Sequence, residues 1–436
     1  MSTAATLDSL TPGADPIPPR KLGGRKAELL VIAIIGIAHG VSHFFHLLIP
    51  PLFPWLMPAF GLSFTEVGSA MTLFFVVSGV GQALAGLLVD RFGALRMLYA
   101  GMLCFLAATV LLGIATGFVS VLAAALIAGM GNSIFHPADF SLLNHKVKAP
   151  RLSYAFAMHG LGGNLGWAVA PLFLTSIAGF AGWRAAAFSA GAIALLAFLM
   201  LWLGRQALSG SHLDFAVAKS DTDAASAGVD AQASQSVPGP EPRVATLQIL
   251  RVDTVWMCFL YFVLATIAFG VFQNYMPAIL HGLYQLELAP AAAGLSSYLA
   301  GGAVGMLLGG FLSRRFSQAS LVSFALLSSS ATILWLINAT WPQSSVWILL
   351  AITGTFTGIA GPARDMLVRQ STLQRLGVTA YGRVYGFVYS GLDIGLAISP
   401  LIFGAIMDHQ QWNLALVGIA TAQVLAVVTA LYVGQR

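Results

Sequence analysis

Charge is scarce in this sequence. Asp, Glu, Lys and Arg together supply 8% of its 436 residues, against roughly 25% in an average soluble domain. A chain so poor in charge cannot clothe a water-facing surface, and its 58% of apolar residues excludes the ordinary soluble class. Cysteine is almost absent too. Cys104 and Cys258 both lie inside apolar runs, which leaves no disulfide framework and no thiolate metal knuckle. No Gly-x-x-x-x-Gly-Lys-Ser/Thr string occurs, so nothing supports the binding of ATP phosphates. No cofactor and no metal are expected.

What the sequence has instead is apolar runs of about 20 residues, the length a helix needs to cross a ~30 Å hydrocarbon core, and not the ~10-residue alternating stretches of a barrel strand. They start near residues 29, 66, 95, 118, 152, 183, 253, 291, 318, 346, 380 and 412. The expectation is an all-α membrane protein of 12 transmembrane helices in two pseudo-symmetric six-helix bundles. Residues 1–28 form a tail, 29–204 the first bundle, 205–247 a polar linker that reads as disordered, and 248–436 the second bundle. The first run is too long for the apolar core of a cleaved signal and is read as a retained span.

Basic residues give the orientation, because Lys and Arg beside spans stay on the cytoplasmic side. Of 21 such residues, only Arg184 falls in a loop on the opposite face, and Arg364 falls within a span. Both termini and the linker are therefore expected in the cytoplasm, in a multi-pass protein of the bacterial inner membrane. The basic balance is topology, with the lipid bilayer as partner and no nucleic acid. A monomer is expected.

The two halves also repeat each other. Ile37-Ala38-His39-Gly40-Val41 matches Ile267-Ala268-Phe269-Gly270-Val271, Gly86 to Phe92 matches Gly310 to Phe316, and Pro171 and Trp183 match Pro400 and Trp412. Two similar bundles can rock about a site at their interface, which suits a transporter and is of no use to a channel or an enzyme.

Ionisable groups in hydrocarbon are costly, so each is a functional candidate. Asp393 in span eleven lies near the midplane and reads as a proton switch or a structural anchor. Asp139 in span four, with Arg364 and Asp365 in span ten, reads as an inner-gate network joining the halves or as a solute or proton site. His39, His43 and His46 recur at i, i+4 and i+7 on one stripe of span one. That stripe suits a cavity lining, a proton relay or plain packing; three ligands on one helix cannot close a metal site unaided. His136, before Pro137, and His159, before Gly162-Gly163-Asn164, are expected to face the cavity. Gly166 with Pro171, and Gly395 with Pro400, repeat one spacing and read as hinges or as close-packing points.

Six plus six spans, a polar central linker and the loop Gly86-x-x-x-Asp90-Arg91-x-Gly93 together resemble the major facilitator superfamily. Gly129 to Pro137 and Gly162-Gly163-Asn164-Leu165-Gly166 more narrowly resemble its fosmidomycin-resistance-type exporters, although Ser42-His43 stand where that group usually carries Asn-Asp. The resemblance implies alternating access and a cytoplasmic gate in which Gly86, Asp90, Arg91, Gly93 and Arg96 meet the start of span eleven. It implies export of a small organic solute, coupled to protons. Span four lacks the arginine of many drug:proton antiporters, and Arg314 stands where the second-half loop would carry its acid. Three other readings compete: uptake symport of a small organic anion through the same fold, a membrane-bound di-metal oxidase suggested by His39-x-x-x-His43, and a non-transporting sensor. The oxidase needs several histidine clusters at one membrane face, and the sensor needs a soluble domain that the linker is too poor in apolar residues to form.

Overall fold

Every long apolar run becomes a helix, since hydrocarbon offers backbone groups no water to pair with and a helix satisfies them internally. The computed structural model describes residues 24–209, 249–337, 341–376 and 381–435. Among them, 11 helical segments are long and apolar enough to cross a bilayer. One of these, Pro150–Leu203, has 54 residues; at about 1.5 Å per residue it would reach roughly 80 Å, far more than a ~30 Å core. Gly182 divides it, with φ 85°, a backbone conformation that L side chains rarely adopt. Arg151 bonds Glu28 at one end of the bundle, while Arg184 donates to the Ala115 carbonyl at the other. Gly204 then returns to lie against Ile34. The segment is two crossings, and the described residues make twelve.

The spans are Arg25–His46, Phe64–Phe92, Ala94–Gly113, Phe118–Asn132 continued by Phe135–Lys146, the two parts of Ala149–Leu203, Asp253–Tyr284, Leu288–Leu312, Gln318–Leu336, Gln343–Leu376, Tyr381–Asp408 and Trp412–Gly434. Span four is interrupted between Asn132 and Phe135. Pro137 has no N–H to offer the Ser133 carbonyl, so the ladder loses a rung where the chain delivers His136 and Asp139. The linker expected from residue 205 starts as a short helix, Arg205–Leu208, whose Leu208 is buried; Lys146 Nζ donates to the Ser209 carbonyl at 2.6 Å. Residues 210–248 lie outside the described residues.

With apolar lipid on the outside, helices gain little from hydrophobic burial against one another and associate through close backbone approach. Span one presents Gly36 and Gly40 to Gly162 and Gly166 of span five. A Cβ placed on Gly166 would stand 1.9 Å from the Gly40 carbonyl oxygen, and one on Gly162 would stand 2.2 Å from that of Gly36. Spans eight and ten repeat this device, where a Cβ on Gly354 would meet the Tyr298 oxygen at 1.8 Å. Gly166, a hinge candidate, is thus a close-packing point, and Gly395 is packed in the same way against Thr266 and Val263.

The halves touch along spans five and eight and along spans two and eleven, the latter from one membrane end to about mid-depth. Phe64 N and Thr65 N donate to the two Asp408 carboxylate oxygens at 2.6 and 3.1 Å, so an acid from the second half caps the positive end of span two. Tyr275 Oη donates to the Pro400 carbonyl at 2.7 Å, and Thr72 Oγ1 donates to the Ala397 carbonyl at 2.7 Å. Further along, Asp393 meets Gly79. Beyond that point span two turns outward: Leu84, Leu87, Asp90, Arg91 and Phe92 are exposed. The seam is closed at the end bearing Asp408.

Candidate functional site

Three helical segments of the first half converge on one group of imidazoles. Span one supplies His39, His43 and His46, the second part of span four supplies His136 and Asp139, and span five supplies His159. Asp139 is fully buried and His39 is 2% exposed. Asp139 Oδ2 lies 3.1 Å from His159 Nε2 and 3.4 Å from His39 Nδ1, while Oδ1 has no hydrogen-bond partner. The His39 and His159 rings stack at 3.5 Å, and those of His43 and His136 stand 4.2 and 5.0 Å from that of His39. At the far end of the stripe, His46 Nε2 donates to Asn132 Oδ1 at 2.8 Å, and Asn132 Nδ2 donates to Ser78 Oγ at 2.7 Å. Gly163 makes the room: a Cβ there would stand 2.6 Å from His43 Nδ1 and 3.0 Å from His39 Nε2.

An aromatic path leads from this cluster across the seam. Trp167 stacks on His43 at 4.1 Å and meets Phe269 of the second half at 5.1 Å. Phe269 approaches Tyr298, which stacks flat on Phe272 at 3.8 Å. Beside these rings Gln273 and Asn274 are buried, and both polar atoms of the Gln273 amide lack a partner. Asn274 Nδ2 donates to the Gly270 carbonyl at 2.7 Å, leaving its Oδ1 unpaired. Buried polar groups are normally paired, so this neutral patch suits hydroxyl or amide groups of a visiting molecule. The charge-centred search of the sequence passes over Gln273 and Asn274. The available signal was their place in the repeat, since the register pairing His39 with Phe269 also pairs His43 with Gln273.

The remaining candidates sit apart. Asp139 and Arg364, the expected gate pair, do not meet in this conformation. Asp139 is turned into the first half, whereas Arg364 Nε donates to Asp365 Oδ1 at 2.9 Å and the guanidinium lies over the Phe262 ring at 4.5 Å. Tyr389 Oη also donates to Asp365 Oδ1, at 2.7 Å. Asp393 is part-buried on the seam, its Cγ 3.2 Å from where a Gly79 Cβ would stand, with no ion-pair partner among the described residues. At the junction of spans two and three, Asp90 and Arg91 end the first helix and Arg96 lies in the first turn of the next, all three exposed, while Gly93 between them takes φ 88°. The start of span eleven, their expected partner, lies partly outside the described residues. The Pro400 carbonyl accepts from the Tyr275 hydroxyl and the Pro171 carbonyl from that of Thr175.

The sequence profile described as Major Facilitator Superfamily matches residues 35–363 and 288–436. The chain is 24% identical over 408 residues to the uncharacterized MFS-type transporter YfnC of Bacillus subtilis (strain 168), with 92% of each chain covered. It is 25% identical over 389 residues to the fosmidomycin resistance protein of Escherichia coli (strain K12), with 88% of each covered. The crystal structure of a bacterial homolog to the human lysosomal transporter Spinster, inward-facing and occupied, shares its fold with TM-score 0.70 at 15% identity, over 95% of this chain and 96% of that one. Twelve spans in two repeated halves, a seam closed at one end and a profile match across most of the chain lead to one assignment: the chain belongs to the major facilitator superfamily and is a transporter.

Proposed function

We propose that this transporter exports a small organic solute in exchange for protons, and that Asp139 with His39 and His159 is the proton site. The observation that carries this reading is the burial of a carboxylate between two imidazoles, at 3.1 and 3.4 Å, on helices that pack toward the seam. A proton arriving there is shared among three groups, and the charge of the first half changes by one without any residue leaving the hydrocarbon. A conformation in which the cluster meets water on one side loads the proton, and the opposite conformation releases it. The aromatic path through Trp167 and Phe269 links that event to the neutral patch at Gln273 and Asn274, where the solute binds. Asp393 is the second carboxylate, set on the seam, and acts on the gate.

The Lys- and Arg-rich face is the cytoplasmic one by the positive-inside rule, with both termini on it. With the seam closed at the Asp408 end, solute for export enters on this reading from the opposite, cytoplasmic face. Export over uptake is supported by the similarity to the fosmidomycin resistance protein. A drug-resistance screen of an overexpressing strain, with fosmidomycin among the compounds, identifies a solute. Everted membrane vesicles then test direction and coupling. Acidifying the vesicle interior should drive accumulation of that solute, and a protonophore should abolish it. Accumulation indifferent to the pH gradient would refute proton exchange.

A further inference from the structure

The same half carries a second chemistry. We infer that His39, Asp139 and His159 form a binding site for one divalent transition-metal ion of the zinc, cobalt or nickel type. One carboxylate oxygen and two imidazole nitrogens of these residues all lie within 4.8 Å of one another. The Asp139 to His39 and Asp139 to His159 separations are 3.4 and 3.1 Å. Ligands bonded at about 2.0–2.1 Å to a tetrahedral ion stand roughly 3.3–3.4 Å apart. Both Asp139 edges match this spacing, and the His39–His159 edge, within 4.8 Å, closes on an ion when the stacked rings rotate to converge their nitrogens.

A second, independent observation points to a ligand. Asp139 Oδ1 and His39 Nδ1 are both buried without a hydrogen-bond partner, and leaving such atoms bare costs each its desolvation penalty. The His39–Asp139 contact at 3.4 Å does not relieve this, because it does not meet hydrogen-bond geometry. An ion held at His39 Nδ1 and His159 Nε2 and chelated by both Asp139 oxygens uses these lone pairs together with Oδ2. The three residues come from three different segments, so the objection that one helix cannot close a site no longer applies. Two nitrogens and one carboxylate without thiolate suit a borderline ion and disfavour magnesium or calcium. Three protein ligands leave a further position for water or an anion.

Around the triad, Gly163 keeps the space beside His39 free of a side chain, and His43 and His136 are near enough to His39 to form a neighbouring set. Ion and proton compete for the same ligand atoms, so binding weakens as the cluster is protonated; it is measured on the resting protein and needs neither a gradient nor the identity of the solute.

The test uses the full chain in detergent or nanodiscs, with no solute and no gradient. Equilibrium dialysis against Zn2+ followed by metal analysis should give one ion per chain. Asp139→Asn and His159→Gln should each weaken binding by at least about tenfold, and the exposed His409→Gln should leave it unchanged. Thermal unfolding of each variant confirms that it is folded. Cobalt supplies a readout that needs no variant, since Co2+ on the wild-type chain should give visible bands of four- or five-coordinate intensity. Failure of the wild-type chain to retain zinc, an octahedral aqueous-like cobalt spectrum, or full binding by folded Asp139→Asn protein would overturn the site. A protein that binds zinc yet transports independently of pH would refute the proton reading alone, and the reverse result would refute only the metal site.

Discussion

The two halves of this transporter share a packing scheme and differ in chemistry. Gly40 against Gly166 in the first half and Tyr298 against Gly354 in the second bring helix backbones together in the same way. At the positions that face the seam the repeat diverges. The first half places histidine at 39 and 43, and the second places Phe269 and Gln273. Buried titratable groups therefore gather on one side and neutral hydrogen-bonding groups on the other. Duplication preserves what every helix bundle in lipid needs, which is close backbone approach. On the proposed reading it leaves each half free to take one task, ion handling in the first and solute recognition in the second.

The largest effect is expected where the halves agree. Gly166→Leu and Gly354→Leu both drive a side chain into a backbone carbonyl, and overpacking of this kind costs about 1–3 kcal/mol or more. Both should cut the yield of folded protein sharply and by similar amounts, as read by size-exclusion chromatography. Tolerance of one and not the other would break the equivalence of the packing. A smaller effect separates the chemistries. Gln273→Leu should raise KM for the solute about fivefold, as expected for one neutral hydrogen bond of about 1 kcal/mol, with the pH profile of transport unmoved. His159→Gln should move the pH profile and leave KM near that of the wild type. Matching changes from both variants would erase the division of labour. The smallest effect concerns the seam. Asp408→Asn removes the charge from the cap on span two and should shift the resting population a few-fold toward the state open at that end. Thiol labelling of cysteines placed beside Thr65 reports it as faster modification.

Much of the architecture was legible from apolar run length, because the bilayer sets it. Expected starts near 118, 253, 318 and 412 coincide with the observed helices, and those near 29, 152, 291 and 346 begin three or four residues earlier. Arg25 to Glu28 and Gln343 to Ser345 are polar first turns, which reach past the hydrocarbon and carry no hydropathy signal. The histidine stripe was legible too, since i, i+4 and i+7 lie within one helix. Its convergence with His136, Asp139 and His159 was not, because it depends on how spans one, four and five cross and on the break before Pro137. An inner-gate network of Asp139 with Arg364 and Asp365 was one expectation for the charges of spans four and ten. Depth does not tell which way a side chain turns, and Asp365 and Phe262 hold the arginine within its own half.

The division between the halves rests most directly on Asp139. Reconstituted Asp139→Asn protein should lose accumulation driven by a pH gradient while keeping solute counterflow close to that of the wild type, because the second half still binds and the bundles still rock. Gradient-driven accumulation at the wild-type level in that variant would contradict the account.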